Sequence, residues 1–144
     1  EMKDGIDQLT AWSDERFDGR VDTTAAETVL FFTEYLEYDP SRVALLERPT
    51  IDDLKAVIAA GYPIIVPAAG RELGNVNFRN PGPLYHMLVI VGYDEDEFIT
   101  NDPGTRNGKG YRYDQQILMD AIHDLTPNLE AISSGKPVVI VVKP

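Results

Sequence analysis

Two residues near the middle of the 144-residue sequence have side chains suited to proton transfer, His86 and Asp102. They stand near the two ends of one run: Tyr-His-Met-Leu-Val-Ile-Val-Gly-Tyr-Asp-Glu-Asp-Glu-Phe-Ile-Thr-Asn-Asp-Pro-Gly, Tyr85 to Gly104. The run reads as two strands joined by an acidic turn near Asp94 or Glu95, which folds its ends together. Both residues carry even numbers. A register in which facing residues sum to an even number therefore puts them on one face of the sheet. A histidine beside a carboxylate is half of a catalytic triad: the imidazole takes the proton, and the carboxylate fixes its tautomer and stabilises the imidazolium. Each residue also has a plainer reading. His86 can be a half-buried histidine satisfied by a backbone carbonyl, and Asp102, in Asn-Asp-Pro-Gly, can be an Asx turn. The spacing permits both.

The other half of a triad is a nucleophile, and the sequence has no cysteine to supply it. Ser13, Ser41, Ser133 and Ser134 lie in no strand–turn–helix elbow. His123, late in an expected helix, suits a structural or surface role near the negative end of the helix dipole. Asp94-Glu95-Asp96-Glu97 lacks the glycine and ligand periodicity of a calcium loop and reads as a solvated turn. Gly104 to Gly110 lacks the lysine and hydroxyl of a phosphate loop. Neither a metal nor a cofactor is expected. The net charge of −11 and pI near 4.5 argue against nucleic acid and anionic membrane as partners, since both need basic surface. No apolar run approaches the length of a membrane span. The first residue is Glu1, and the helix there starts without a cap, so a preceding segment is expected.

The elements that must position these residues can be read in order. Glu1 to Phe17 has Met2, Ile6, Leu9 and Trp12 at helical spacing, and Asp18-Gly19-Arg20 breaks it. Thr24-Ala25-Ala26-Glu27 is a capping box opening a helix to about Glu37, with Val29, Leu30, Phe32 (or Phe31), Thr33 and Leu36 on its apolar stripe. Ser41 to Leu46 is a short strand. Thr50 opens a helix that buries Leu54, Val57 and Ile58 and stops at Gly61. Pro63 to Pro67 is a buried strand whose prolines suggest a sheet edge or an abrupt end. Ala68 to Leu84 is a long loop of the kind that often carries function. Gly110 to Tyr113 is a strand. Asp114 caps a helix over Gln115 to Asp124 with Ile117, Leu118, Ala121 and Ile122 inward. Pro137 to Val142 is a β-branched buried strand. Local hairpins point to an α+β fold with an antiparallel sheet in a single domain, residues 1–144.

Tyr85 to Asp94, followed by Phe98 to Gly104, resembles the histidine and aspartate blocks of the bacteriocin-processing, double-glycine-leader cysteine peptidases and their bacterial relatives within the papain-like superfamily. Thr50 to Gly61 followed by Tyr62 to Pro67 resembles that family's helix and its Gly-x-Pro-Val-Ile-Val strand. Gly82-Pro83-Leu84-Tyr85-His86 and the Tyr113 to Leu125 helix add to the likeness, which runs from about Thr24 to the C-terminus. The resemblance implies a papain-like fold in which His86 is the general base and Asp102 its orienting acid. In the family a glutamine and then the nucleophilic cysteine open a helix near the N-terminus. Neither has a counterpart here, and Gln8 is not assigned that role. The expectation is the C-terminal portion of a papain-like domain, lacking the cysteine-bearing helix. It would hydrolyse peptide bonds in an intact parent and be inactive alone. The alternative is a cysteine-free module that binds peptide without cleaving it. Asn75, Asn77, Arg79 and Tyr85 are the expected substrate contacts, and a peptide or protein is the expected partner. Pairing with a second copy or with the absent segment would cover the exposed sheet face. The resemblance places the protein outside the bacterial cytoplasm, in the extracellular space or at the cell surface.

Overall fold

A computed structural model describes residues 2–144. The expected helical start at Glu1 lies outside the described residues. Six strands form one antiparallel sheet: β1 Val43–Glu47, β2 Ile64–Ala69, β3 Tyr85–Tyr93, β4 Glu97–Asn101, β5 Lys109–Asp114 and β6 Val138–Val142. Their spatial order is β1-β6-β2-β3-β4-β5. Helices α1 Met2–Arg16, α2 Ala25–Leu30, α3 Ile51–Ala59 and α4 Gln115–Ala121 complete the α+β architecture.

The sheet buries both faces unequally along its width. On one face α3 and α4 bring Leu54, Leu118 and Ala121 onto Ile64, Val66, Leu88, Ile90, Phe98 and Tyr113. On the other face α2 brings Ala25, Val29 and Phe32 onto Val43, Val138, Ile140 and Val142. β6 lies between β1 and β2 and is covered on both faces, so all five of its residues are buried. That is why its sequence is a continuous β-branched run with no alternation. Each large side chain fully buried in this way, such as Phe98 or Leu88, contributes about 1.5–3 kcal/mol.

The helix starts follow their capping chemistry. Thr24 Oγ1 accepts from the Glu27 N–H while Glu27 returns to the Thr24 N–H, and Thr50 and Asp53 repeat the exchange. Gly61 adopts the left-handed φ of 88° that terminates α3. Asp114 accepts from the Gln116 and Ile117 N–H groups at the start of α4.

Four expectations need correction. β2 is not an edge strand; it runs between β6 and β3. Its pairing with β6 covers only Ile64 and Ile65, so beyond them Pro67 owes no N–H to a strand on that side. The Pro67 carbonyl on that same side accepts from the His123 N–H at 3.2 Å. The second helix does not stay α-helical to Glu37. It widens into a π-helical turn at Phe31–Tyr35, and Leu36 is left exposed. α4 ends at Ala121, and Ile117 is half exposed because its side lies away from the sheet. The stripe of α1 does not cover a core: no residue of the helix is buried, and Met2 and Ile6 stand in solvent. The helix is held chiefly by Trp12, whose ring meets Phe17, Phe31 and Tyr35.

Candidate active site

The hairpin of β3 and β4 brings His86 and Asp102 onto one face through an irregularity in its register. Near the site Val89 faces Asn101 and Ile90 faces Thr100. Beyond a bulge the pairing becomes Gly92 with Ile99 and Tyr93 with Phe98. Val91 is the extra residue. Had the register beside the turn continued unbroken, every β3 side chain near the site would point to the opposite face. The bulge therefore puts His86 in line with Leu88 and Ile90, on the face shared by Phe98, Thr100 and Asp102.

The two side chains meet. His86 Nε2 lies 2.7 Å from Asp102 Oδ1. Asp102 is buried and His86 nearly so, with side-chain exposures of 0% and 12%. Asp102 also accepts the Gly104 N–H on Oδ1 at 2.9 Å and the Tyr113 hydroxyl on Oδ2 at 2.7 Å. Asn75 Nδ2 donates to the Tyr113 oxygen at 2.7 Å and reaches Asp102 Oδ2 at 3.4 Å. Burial works to raise the Asp102 pKa, but the hydrogen bonds from His86, Tyr113 and Gly104 outweigh it and hold the carboxyl below its usual range. An ionised carboxylate can only accept, so His86 Nε2 is the donor in this contact. Among the described residues no polar group pairs with Nδ1. Burial, and then donation to Asp102, pushes the Tyr113 phenol well above its ordinary pKa, which keeps it a donor.

Close packing holds the ring in place. Phe78 meets His86 edge to face, with centroids 5.1 Å apart. A Cβ at Gly104 would stand 2.8 Å from His86 Cε1 and 3.1 Å from Asp102 Oδ1, so only glycine allows this approach. At Gly108 a Cβ would overlap the Asp102 carbonyl. That glycine's own carbonyl accepts the Asp102 N–H at 2.9 Å. The nearby Thr105 hydroxyl oxygen is buried with no hydrogen-bond partner among the described residues.

The expected substrate contacts separate. Asn77 and Arg79 are exposed on the loop after β2, and Asn77 Oδ1 accepts from Asn107 Nδ2 at 3.3 Å. Asn75 is buried, with its amide engaged by Tyr113 and Asp102, so it braces the pair from beneath. Tyr85 points to the other face, where it packs with Ala69 and Ile132 and donates its hydroxyl to the Thr23 carbonyl at 2.8 Å. It cannot contact a ligand beside His86, because adjacent residues of a strand face opposite ways. Tyr113 and Phe78 escape a reading by residue type. Tyr113 is identifiable only once β4–β5 pairing sets Phe98 opposite it.

His123 stands apart from this site. It follows the end of α4, and its Nδ1 donates to the Gly135 carbonyl at 2.9 Å.

A buried carboxylate orienting a histidine at the end of a hairpin, on an antiparallel sheet packed with helices, defines a papain-like α+β domain of the peptidase type. The model of the Peptidase_C39 like family matches residues 7–123, and the chain belongs to that family. No curated protein matches the sequence. Among solved structures, a C39-like peptidase candidate from Bacillus anthracis is similar at 18% identity and a TM-score of 0.52. The match covers 78% of this chain and 57% of that one, so the chain spans a little over half of its neighbour's length. At this identity the likeness bears on the fold.

Proposed function

We propose that this chain supplies the general base and its orienting acid to thiol-dependent peptide hydrolysis, with His86 and Asp102 in those roles. The observation that carries this reading is the 2.7 Å Nε2–Oδ1 contact, which leaves Nδ1 without a partner. The nucleophile would be a cysteine from outside this sequence. Its thiol gives a proton to His86 Nδ1, and the thiolate sulfur bonds to the peptide carbonyl carbon. The imidazolium, stabilised by Asp102, returns that proton to the departing amine as the C–N bond breaks. Water then attacks the thioester with His86 as base, releasing the acid and restoring the thiol. Membership of a peptidase-like family supports the reading.

The test uses a full-length parent protein containing a cysteine and a fluorogenic peptide. His86→Ala is expected to reduce hydrolysis by about 10³-fold. Undiminished hydrolysis would remove His86 from the mechanism. A second reading, peptide binding without cleavage, is favoured by the absence of cysteine from all 144 residues. It predicts peptide binding with no turnover in the parent.

A further inference from the structure

Behind the His86–Asp102 pair, on the opposite face of the sheet, lies a cavity that peptide hydrolysis at His86 would not use. It is open, has a volume of about 400 Å³, and is lined by Val89, Asn101, Asp102, Pro103 and Lys109. Strand register puts three of these in one row. Val89 faces Asn101 across β3 and β4, and Asn101 faces Lys109 across β4 and β5. Directly opposed residues of neighbouring strands project to the same side, with Cβ atoms about 5 Å apart. Leu88 and Asp102, each one residue along, project to the other side, where His86 lies. The Asp102 side chain has no exposure, so this residue meets the cavity only through its main chain.

Lys109 owes its place in the row to a second bulge. Pairing steps from Thr100–Tyr111 to Asn101–Lys109 and skips Gly110. Gly110 takes a left-handed φ of 69°, as a glycine in such a bulge does. In an unbroken ladder Asn101 would face Gly110, and Lys109 would turn to the other face. The resulting lining is chemically one-sided. Asn101 Oδ1 accepts the Gly110 N–H at 3.3 Å, which leaves the Nδ2 donors without a partner among the described residues. Lys109 is exposed and forms no ion pair with another described residue. The acids of the β3–β4 hairpin that could neutralise it, Asp94 and Glu97, are held by Arg112. No side-chain carboxylate lines the cavity, and Val89 and Pro103 give it apolar walls. A cationic ligand would therefore find no charged acceptor. A carboxylate, which only accepts, would meet two donors, one of them charged. The volume lies near the lower end of the range for small-molecule sites, about 300–1,000 Å³, so the ligand is small.

We infer that this cavity binds a small hydrophobic carboxylate, its carboxylate on Lys109 Nζ and Asn101 Nδ2 and its apolar chain against Val89 and Pro103. The site is separate from His86 and holds whether or not a nucleophile is supplied there.

The test uses the chain as it is. Hexanoate, hexanamide and hexylammonium, one apolar chain with three heads, are titrated while NMR follows the amides of Val89, Asn101, Lys109 and Gly110. Hexanoate is expected to shift these amides saturably, with a Kd in the low millimolar range suited to so small a ligand. It is expected to bind about three- to fivefold tighter than hexanamide, the worth of one exposed ion pair, and hexylammonium is expected not to bind there. Acetate, which has the head without the chain, is expected to bind at least about tenfold more weakly than hexanoate. Lys109→Gln keeps most of the stem and removes the charge, and is expected to bring hexanoate to the level of hexanamide. Lys55→Gln, beside Tyr93 at the far end of β3, is expected to leave hexanoate binding intact. Acetyl-leucyl-leucine, set against its C-terminal amide, separates the two sources of such a head. A peptide acid that binds tighter than hexanoate names a chain end, and one that binds more weakly names a free acid. Equal binding of hexanoate and hexylammonium overturns the assignment, as does an unchanged hexanoate affinity in Lys109→Gln. Shifts confined to Phe78 and the His86 ring would put the acid on the other face and also overturn it.

Discussion

Both histidines are nearly buried and both stand beside a carboxylate, yet their surroundings differ in kind. His86 and His123 have side-chain exposures of 12% and 15%. The carboxylate beside His86 is fully buried and lies at 2.7 Å, whereas Glu72 beside His123 is 38% exposed and lies at 3.6 Å. Asp102 is itself held by Tyr113, Gly104 and Asn75. Glu72 is shared with an exposed serine, Ser133. At His86 the backbone takes neither ring nitrogen; at His123 the Gly135 carbonyl occupies Nδ1. A histidine near an acid is therefore common ground between the two. A rigid acid on one nitrogen and no partner on the other set His86 apart from the clasp at His123.

The largest expected contrast is catalytic. In a cysteine-bearing parent, His86→Ala is expected to lose about 10³-fold in peptide hydrolysis, and His123→Ala less than about threefold. Similar losses in both would erase the distinction. The next contrast is in stability, read by chemical denaturation. Asp102→Ala strands buried donors on Tyr113, Asn75 and Gly104 and is expected to cost about 3 kcal/mol. Glu72→Ala, on the surface, is expected to stay within about 0.5 kcal/mol. Tyr113→Phe tests the brace alone: a loss of about 1 kcal/mol is expected, together with a shift of the His86 ring resonances. An unmoved ring would mean that the tyrosine only fills space.

The smallest effect is in acid. The Asp102 pKa is lower in the folded chain than its ordinary value, so the folded state binds its proton less readily. Its contribution is fully present above the unfolded value of about 3.9 and is lost as pH falls through the folded value. Asp102→Asn is expected to flatten that part of the stability curve. Glu72→Gln, at an exposed acid outside the network, is expected to leave it unchanged. An acid limb unaltered in Asp102→Asn would place the sensitive carboxylates elsewhere.

Much of this was legible before any coordinates. The capping boxes at Thr24 and Thr50, the N-cap at Asp114, the buried run of β6 and the hairpin from Tyr85 to Asn101 are local matters. Backbone donors, side-chain oxygens and branched apolar chains within a few residues decide them, and the sequence states those directly. The same holds for His86 and Asp102 as a pair, since both lie on one hairpin.

Other features depend on partners distant in sequence. The interior place of β2 rests on its pairing with β6, distant in sequence, at Ile64 and Ile65. The fate of Asn75 rests on Tyr113, and that of Tyr85 on Thr23. Nothing near these residues in the chain announces such neighbours.

The sequence by itself determined that a histidine and an aspartate would close one hairpin, because a single turn and two apolar strands suffice. Only the tertiary structure decided that they share a face, through the bulge at Val91, and that Asp102 is ionised in a buried network. The first depends on strand register and the second on desolvation weighed against donors from three chain segments. The second is set by packing at a distance.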